Sequence, residues 1–340
     1  MNVFERICEI LKSDSEAVVA TIVSASGSTP APGQSKMLIR TRKEYATIGT
    51  VGGGCLDVDV IESVREATPA TARVATYTLN DDDGDTGLTC GGTVHVLVEA
   101  IDSSMTPIYE EICRRKTNGR SSYLMTKLAG AQSKSLFDEH GGFLRGSPVS
   151  EAEMKKVTEL TSGEGRESSH MTEEFALEYI EPRVRVIIFG GGHVGKVTSR
   201  CGALAGFSIT IVDDRAAYAN RERFPEADEI HCKHFDDAIP ALTITAGDYV
   251  VIVTRGHKYD EMILERVLPF EPRYIGMIGS RRKVQLSYEK LMARGISREA
   301  LAKVHAPIGL EIGAETADEI GVSIIAEIIG VRRGVQIAVK

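Results

Sequence analysis

One run of the sequence narrows the possible folds more than any other. Val184-Arg185-Val186-Ile187-Ile188-Phe189 is short, apolar and rich in β-branched residues, and it passes directly into Gly190-Gly191-Gly192-His193-Val194-Gly195. An apolar strand ending in G-x-G-x-x-G predicts a tight strand-to-helix turn whose main chain can approach a ligand closely. A helix over 196–205 and a second strand over 207–212 are expected next. Asp213 ends that strand about twenty residues past the loop, where an acidic side chain can meet ribose hydroxyls. Gly190, Gly192 and Gly195 are therefore candidate cofactor-binding positions, with Asp213 favoured over the adjacent Asp214, which could instead cap the helix that follows. The other reading keeps the glycines only for the tight turn, in a fold that has lost its ligand.

Further strands are expected at 249–254 and 274–279, each delivering a loop to the carboxyl edge of one parallel sheet, where ligands bind in such folds. The first loop carries His257, a pocket residue or merely a helix cap. The second carries Ser280-Arg281-Arg282-Lys283 at a helix N-terminus suited to a phosphate, or a solvated basic run. The glycine-punctuated segment 305–313 precedes a long helix ending near Val331 that is expected to close the sheet edge. The fold class expected is α/β. A C-terminal doubly wound, parallel-sheet Rossmann domain (183–340) follows a smaller mixed, β-rich α/β domain (1–182), meeting near Pro182 with a ligand cleft between them.

In the N-terminal half, Phe4, Ile7, Cys8 and Leu11 share a helical face, and strands are expected at 17–23 and 36–40 around the turn-rich 26–33. Gly52-Gly53-Gly54-Cys55 precedes the helical spacing Leu56, Val60, Ile61, Val64, which puts Cys55 at a helix N-terminus, a placement that favours thiolate. Cys90-Gly91-Gly92 leads into a half-buried strand, 93–99, with Val94, Val96 and Val98 on one face. Gly53, Gly54, Cys55, Cys90 and Gly91 thus form two thiols in backbone stripped of side chains, which suits a soft, sulfur-liking cofactor. A further helix and hairpin strands around Leu124 and Phe137 are expected within 106–150, and the polar stretch 151–174 is expected to be partly mobile.

Composition excludes several classes. Net charge is −8 with no long basic run, so a nucleic-acid partner has no electrostatic footprint. No apolar stretch reaches membrane-spanning length and no export signal is visible, so a cytoplasmic protein with reduced thiols is expected. The six cysteines form no C-x-x-C and no pair of histidines has metal-binding i, i+4 spacing, so no all-protein metal site is expected. Cys8, Cys113 and Cys201 read as small core residues.

Taken together these motifs resemble the xanthine dehydrogenase accessory factor (XdhC/CoxI) family over nearly the whole chain. The family pattern appears as Gly27-Ser28-Thr29-Pro30, Pro32-Gly33 and Met37, then Gly49 through Cys55, then Cys90-Gly91-Gly92 and a strand ending at Glu99. In the second half it appears as the loop 190–195, Val-Asp-Asp-Arg at 212–215, Gly-His-x-x-Asp at 256–260 and Gly-x-Ile-Gly-Ser-Arg-Arg-Lys at 276–283. Ala31, where many relatives have Arg, and Asp57, where many have Glu, depart from it.

The resemblance implies a maturation factor, an accessory or chaperone protein rather than a free-standing enzyme. Such a factor holds the molybdenum cofactor (molybdopterin, mononucleotide or dinucleotide form), supports its sulfuration and delivers it to an apo xanthine dehydrogenase-like molybdenum hydroxylase. Cys55 and Cys90 would be molybdenum contacts, sulfur carriers or packing residues. His257, Ser280 and Arg281 would join the cofactor-binding set. NAD(P) or another nucleotide is the candidate for the Rossmann half, a cysteine desulfurase a candidate second partner, and a homodimer the expected state. The alternatives are an NAD(P)-dependent oxidoreductase using His257 or Cys55 as proton donor, and a nucleotide-sensing scaffold.

Overall fold

The apolar spacing at the start of the chain builds α1 (Val3–Ser13), which buries Phe4, Ile7, Cys8, Ile10 and Leu11. A computed structural model describes residues 3–13, 16–27, 34–40, 46–66, 72–78, 92–128, 133–162 and 168–335. The turn residues 28–33, Cys90 and Gly91 lie outside them. By internal contacts the chain falls into two units, Met1–Pro182 and Arg183–Lys340.

In the first unit β1 (Glu16–Ser26), β2 (Lys36–Arg40), β3 (Ala46–Gly49), β4 (Arg73–Thr78) and β5 (Thr93–Asp102) form an antiparallel sheet, ordered β3-β2-β1-β5-β4. The central strand is a continuous apolar run because both of its faces are covered. Val18 and Ala20 meet Leu56, Val60 and Val64 of α2 (Gly54–Glu66), while Val19 faces α1 and α3 (Thr106–Thr117). β5 runs three residues past Glu99 and is buried on both faces from Val96 to Glu99, so it is longer and deeper than the half-buried strand expected.

A second antiparallel sheet comprises β6 (Ser122–Lys127), β7 (Lys134–Asp138), β8 (Phe143–Gly146), β9 (His170–Met171) and β10 (Phe175–Ile180), ordered β8-β7-β6-β10-β9. Leu124, Leu136 and Ile180 share the apolar layer of α1 and α3. Tyr123, Met125, Phe137 and Phe175 face α4 (Glu151–Leu160) through Val157. Within the polar stretch 151–174, α4 is a regular element that the sequence reading did not assign, and residues 163–167 lie outside the described residues. Its N-terminus is a capping box in which Ser150 Oγ accepts from Glu153 N and the Glu153 carboxylate accepts from Ser150 N.

Among the described residues two ion pairs cross between the sheets in opposite senses. Lys36 of β2 lies 2.7 Å from Glu178 of β10, and Lys134 of β7 lies 2.8 Å from Glu99 of β5. Each ammonium also donates to a threonine hydroxyl at 2.8 Å, Thr21 and Thr126 respectively, which meets the demand of a buried charge for hydrogen bonds.

The second unit is a parallel sheet of β11 (Arg185–Phe189), β12 (Ser208–Asp213), β13 (Glu229–Cys232), β14 (Tyr249–Ile252) and β15 (Tyr274–Met277), ordered β13-β12-β11-β14-β15. Val186 and Ile188 point into one apolar layer, Ile187 and Phe189 into the other. The first layer is capped by α5 (His193–Leu204) and α10 (Ala317–Arg332); a Cβ on Gly321 would lie 2.6 Å from Val197. The second is built with α6 (Phe235–Ala238), α7 (His257–Val267), α8 (Arg281–Ala293) and α9 (Arg298–Leu301). The sheet is thus doubly wound, with α10 over a face and not closing an edge, because Ile324, Ile325 and Ile328 need that layer.

Candidate functional site

Two local structures carry the candidate chemistry, one in each unit. In the first, the chain leaves β3, turns through Thr50–Gly54 and enters α2. Gly53 and Gly54 hold φ of +75° and +54°, and among the described residues a Cβ would come no nearer than 4.0 Å to anything at Gly53 and meet nothing within 4 Å at Gly54. These glycines are required by backbone conformation, not by crowding, and the space beside them is open. The turn is held by its own polar groups: Asp57 accepts from Val51 N at 2.9 Å and Thr50 Oγ1 accepts from Gly52 N at 3.0 Å. Asp57 therefore fixes the shape of the loop from the first turn of α2. Cys55, the second residue of α2, is half-buried. Glu99, at the far end of the Cys90 motif, points away from such chemistry into its pair with Lys134.

In the second unit the loop after β11 is stitched to its surroundings. A Cβ on Gly190 would lie 2.4 Å from the Val253 carbonyl, one on Gly195 would lie 1.9 Å from the Gly190 carbonyl, and one on Gly191 would lie 2.0 Å from the Tyr218 carbonyl. Close main-chain approach thus explains these glycines. Gly192 differs: nothing lies within 4 Å of its missing Cβ, and it caps α5 with no side-chain bond. On the neighbouring strand β14, Gly256 caps α7 in the same way. Two helix N-termini without capping side chains thus stand side by side at the carboxyl edge, an arrangement that can take an anion. Ser280, by contrast, caps α8 with its own hydroxyl (3.4 Å to Lys283 N), and Arg281 pairs with Glu311 at 2.8 Å in an exposed position worth little energy.

Asp213 sits at the end of β12 as expected but only 1% exposed. Its carboxylate accepts from Gly191 N (2.8 Å), Arg215 N (3.1 Å), Arg215 Nε (2.8 Å) and Arg215 Nη2 (2.8 Å). Burial pushes its pKa up, but these donors outweigh burial and hold it below the usual carboxylate range. A ribose diol would have to displace Arg215, which is also stacked 3.7 Å over the Tyr218 ring. Asp214 instead forms a fork with Arg255 at 2.8–2.9 Å, and Arg255 also donates to Tyr259 Oη at 3.2 Å. Since β11 lies between β12 and β14, that pair spans the glycine loop. Sequence reasoning missed Arg215, Arg223 (which donates to the Gly191 carbonyl at 2.8 Å) and Arg255; the Val-Asp-Asp-Arg run was the only local signal, and it pointed to the carboxylates alone.

His257, the first residue of α7, is half-exposed, with Nδ1 3.7 Å from Asp260 Oδ2. Asp260 is buried and pushed up to about 6 by burial, although Thr254 Oγ1 (2.6 Å) and Thr254 N (3.2 Å) donate to it. The segment 305–313 is tied down from α10: Glu327 accepts from Gly309 N at 2.9 Å and from Tyr274 Oη at 2.5 Å, with His305 Nδ1 at 3.3 Å. An open groove of this unit, about 1010 Å³, is lined by His234, Tyr259, Met262, Arg266 and Phe270 and by no residue of the glycine loop.

Comparison with known proteins places these features in a lineage. Residues 186–328 match the XdhC Rossmann domain and residues 10–78 match the XdhC and CoxI family. The chain is similar to a Bacillus subtilis strain 168 protein named as a probable xanthine dehydrogenase subunit, at 27% identity over 332 residues, covering 96% of this chain and 97% of that protein. It is also similar to the molybdenum cofactor insertion chaperone PaoD of Escherichia coli K12, at 22% identity over 327 residues, covering 95% of this chain and 86% of that one. A crystal structure described as a xanthine dehydrogenase from Bacillus halodurans superimposes with a TM-score of 0.81 at 25% identity, covering 99% of this chain and 97% of that one. The chain belongs to the XdhC and CoxI family.

Proposed function

We propose that the protein holds a molybdenum cofactor as cargo, supports exchange of an oxo for a sulfido ligand on it, and passes it to an apo molybdenum hydroxylase of the xanthine dehydrogenase type. The observation that carries this reading is the turn at Gly53-Gly54-Cys55: open space beside two left-handed glycines, a half-buried thiol, and the N-terminus of a helix thirteen residues long. The cargo brings a phosphate, a flat pterin and a soft molybdenum-dithiolene centre, and thiolate sulfur is the protein ligand class suited to such a metal. Cys55 offers a thiol at that turn, and the motif Cys90-Gly91, outside the described residues, is proposed from the sequence as a second sulfur contact. In the second unit the main chain at Gly192 and the N-termini of α5 and α7, flanked by His257, are suited to a phosphate. Similarity to a protein named a molybdenum cofactor insertion chaperone supports the assignment of role. A cysteine desulfurase would supply the sulfur, and a homodimer is the proposed working state.

The test is the molybdenum and pterin content of the protein purified anaerobically from a host that makes the cofactor, beside Cys55→Ala and Cys90→Ala. Pterin approaching one per chain, lost in either variant while the melting temperature is unchanged, is the expected result. No pterin in the parent protein, together with NAD(P) binding and reductant turnover, would replace this reading with that of an oxidoreductase.

A further inference from the structure

Cys8 and Cys113 stand 105 residues apart in sequence and read there as separate core residues, yet their Sγ atoms face each other at 3.9 Å, one from α1 and one from α3. Cys8 is 9% exposed at the edge of the layer that α1 and α3 share, and Cys113 is half-buried beside it. The Lys12–Glu110 ion pair, at 2.8 Å, links the same two helices close by, since Lys12 follows Cys8 by one helical turn and Glu110 precedes Cys113 by nearly one.

From this geometry we infer that Cys8 and Cys113 are a redox-modifiable thiol pair that closes to an intramolecular disulfide when the protein meets a peroxide. A disulfide needs its sulfurs about 2.05 Å apart, so the pair is about 1.9 Å short of bonding, a gap that side-chain rotation on two facing helices must close. The contact couples the two sulfurs: either atom can be the donor, so a thiolate on one is hydrogen-bonded by the thiol that remains on the other. One sulfur of the pair therefore attacks as thiolate and the other resolves.

The chemistry balances with a peroxide as the only co-reactant. The thiolate sulfur of the pair attacks one peroxide oxygen, the O–O bond breaks, and the leaving hydroxide takes a proton to become water. The second sulfur then attacks the sulfur of the resulting sulfenic acid, the S–O bond breaks, and a second water departs as the S–S bond forms. Two thiols are oxidised by two electrons and one hydrogen peroxide is reduced to two waters. A small oxidant suits a sulfur as enclosed as Cys8, and the product ties α1 to α3.

The experiment is a hydrogen peroxide titration of the full chain, followed by alkylation, non-reducing digestion and mass spectrometry, with parallel melting curves. The expected result is a Cys8–Cys113 cross-linked peptide lighter by two hydrogens and reversible by dithiothreitol. It should come with a rise of about 9 to 19 °C in one melting transition, because the bond closes a loop of roughly a hundred residues. Cys8→Ser and Cys113→Ser should each abolish the cross-link and the rise. If Cys8 and Cys113 are both still alkylated at peroxide doses that oxidise Cys232, or if oxidation joins other cysteines instead, the inference is wrong. Because the parent protein alone gives that answer, a variant that fails to fold leaves the conclusion intact.

Discussion

Replacing Lys134 with Met tests how the two sheets of the first unit are held. Lys134 is 2% exposed, and its ammonium lies 2.9 Å from Glu99 Oε1, 2.8 Å from Glu99 Oε2 and 2.8 Å from Thr126 Oγ1. At an effective dielectric of about 20, a pair this close attracts by roughly 6 kcal/mol, and that gain is set against the cost of removing both charges from water. The net value of the intact pair is therefore small, but removing one partner leaves Glu99, itself 3% exposed, as an uncompensated buried charge. The expected cost of Lys134→Met is about 3 to 5 kcal/mol, or about 6 to 20 °C in the transition of a unit this size. The double replacement Glu99→Leu with Lys134→Met fills similar volume without charge and should return to within about 1 kcal/mol of the parent, or exceed it. Scanning calorimetry of the full chain and both single and double variants gives the cycle. A single variant costing less than about 1 kcal/mol, or a double variant costing the sum of the singles, would refute the claim that these charges depend on one another.

Three further outcomes follow from local geometry. Asp260→Asn should stabilise the second unit above neutral pH. The wild-type carboxyl is raised from about 3.9 to about 6 by burial, so its favourable contribution is complete below the unfolded value and is lost as pH rises through the folded one, roughly 3 kcal/mol in all. Melting curves from pH 4 to 8 should show the variant gaining on the parent only at the upper end, and parallel curves would contradict the assignment. Gly191→Ala drives a Cβ to 2.0 Å from the Tyr218 carbonyl, and backbone must move, so a loss of about 1 to 3 kcal/mol is expected in urea titrations. Ser150→Ala removes one arm of the α4 capping box and should cost about 1 kcal/mol, seen as faster hydrogen exchange across 151–160.

Elements with a strong period were legible in the sequence, and elements defined by partners were not. β11 and the glycine turn could be read directly because an apolar strand followed by spaced glycines has one common structural solution. The same holds for α1 and for the turn before α2, where apolar spacing and glycine both report locally. α4 escaped because only Val157 is fully buried, so no apolar stripe marks it, although its S-x-x-E cap was there to be read. β13 escaped because an edge strand reading Glu-Ile-His-Cys buries none of its residues fully. At the candidate site, the position of Asp213 was legible but its partners were not. Whether a carboxylate at a strand end faces a ligand or an arginine two residues on is decided by side-chain rotamers, which sequence spacing does not fix. Lys134 and Glu99 were hidden for the same reason: a lysine opening an apolar strand reads as an edge, and its partner is 35 residues away.

The crossed arrangement of Lys36–Glu178 and Lys134–Glu99 has a consequence for how the first unit assembles. Each sheet offers the other one cation and one anion. Apolar faces alone would accept several nearby alignments, because aliphatic side chains repack at modest cost. Two charge pairs running in opposite senses do not: sliding one sheet by a single strand spacing, about 4.8 Å, strands all four groups in a dry layer. The pairs therefore act as a two-pin keyed joint, selecting one docking of the sheets from a family of near-equivalent ones and making the two halves of the unit mutually obligatory.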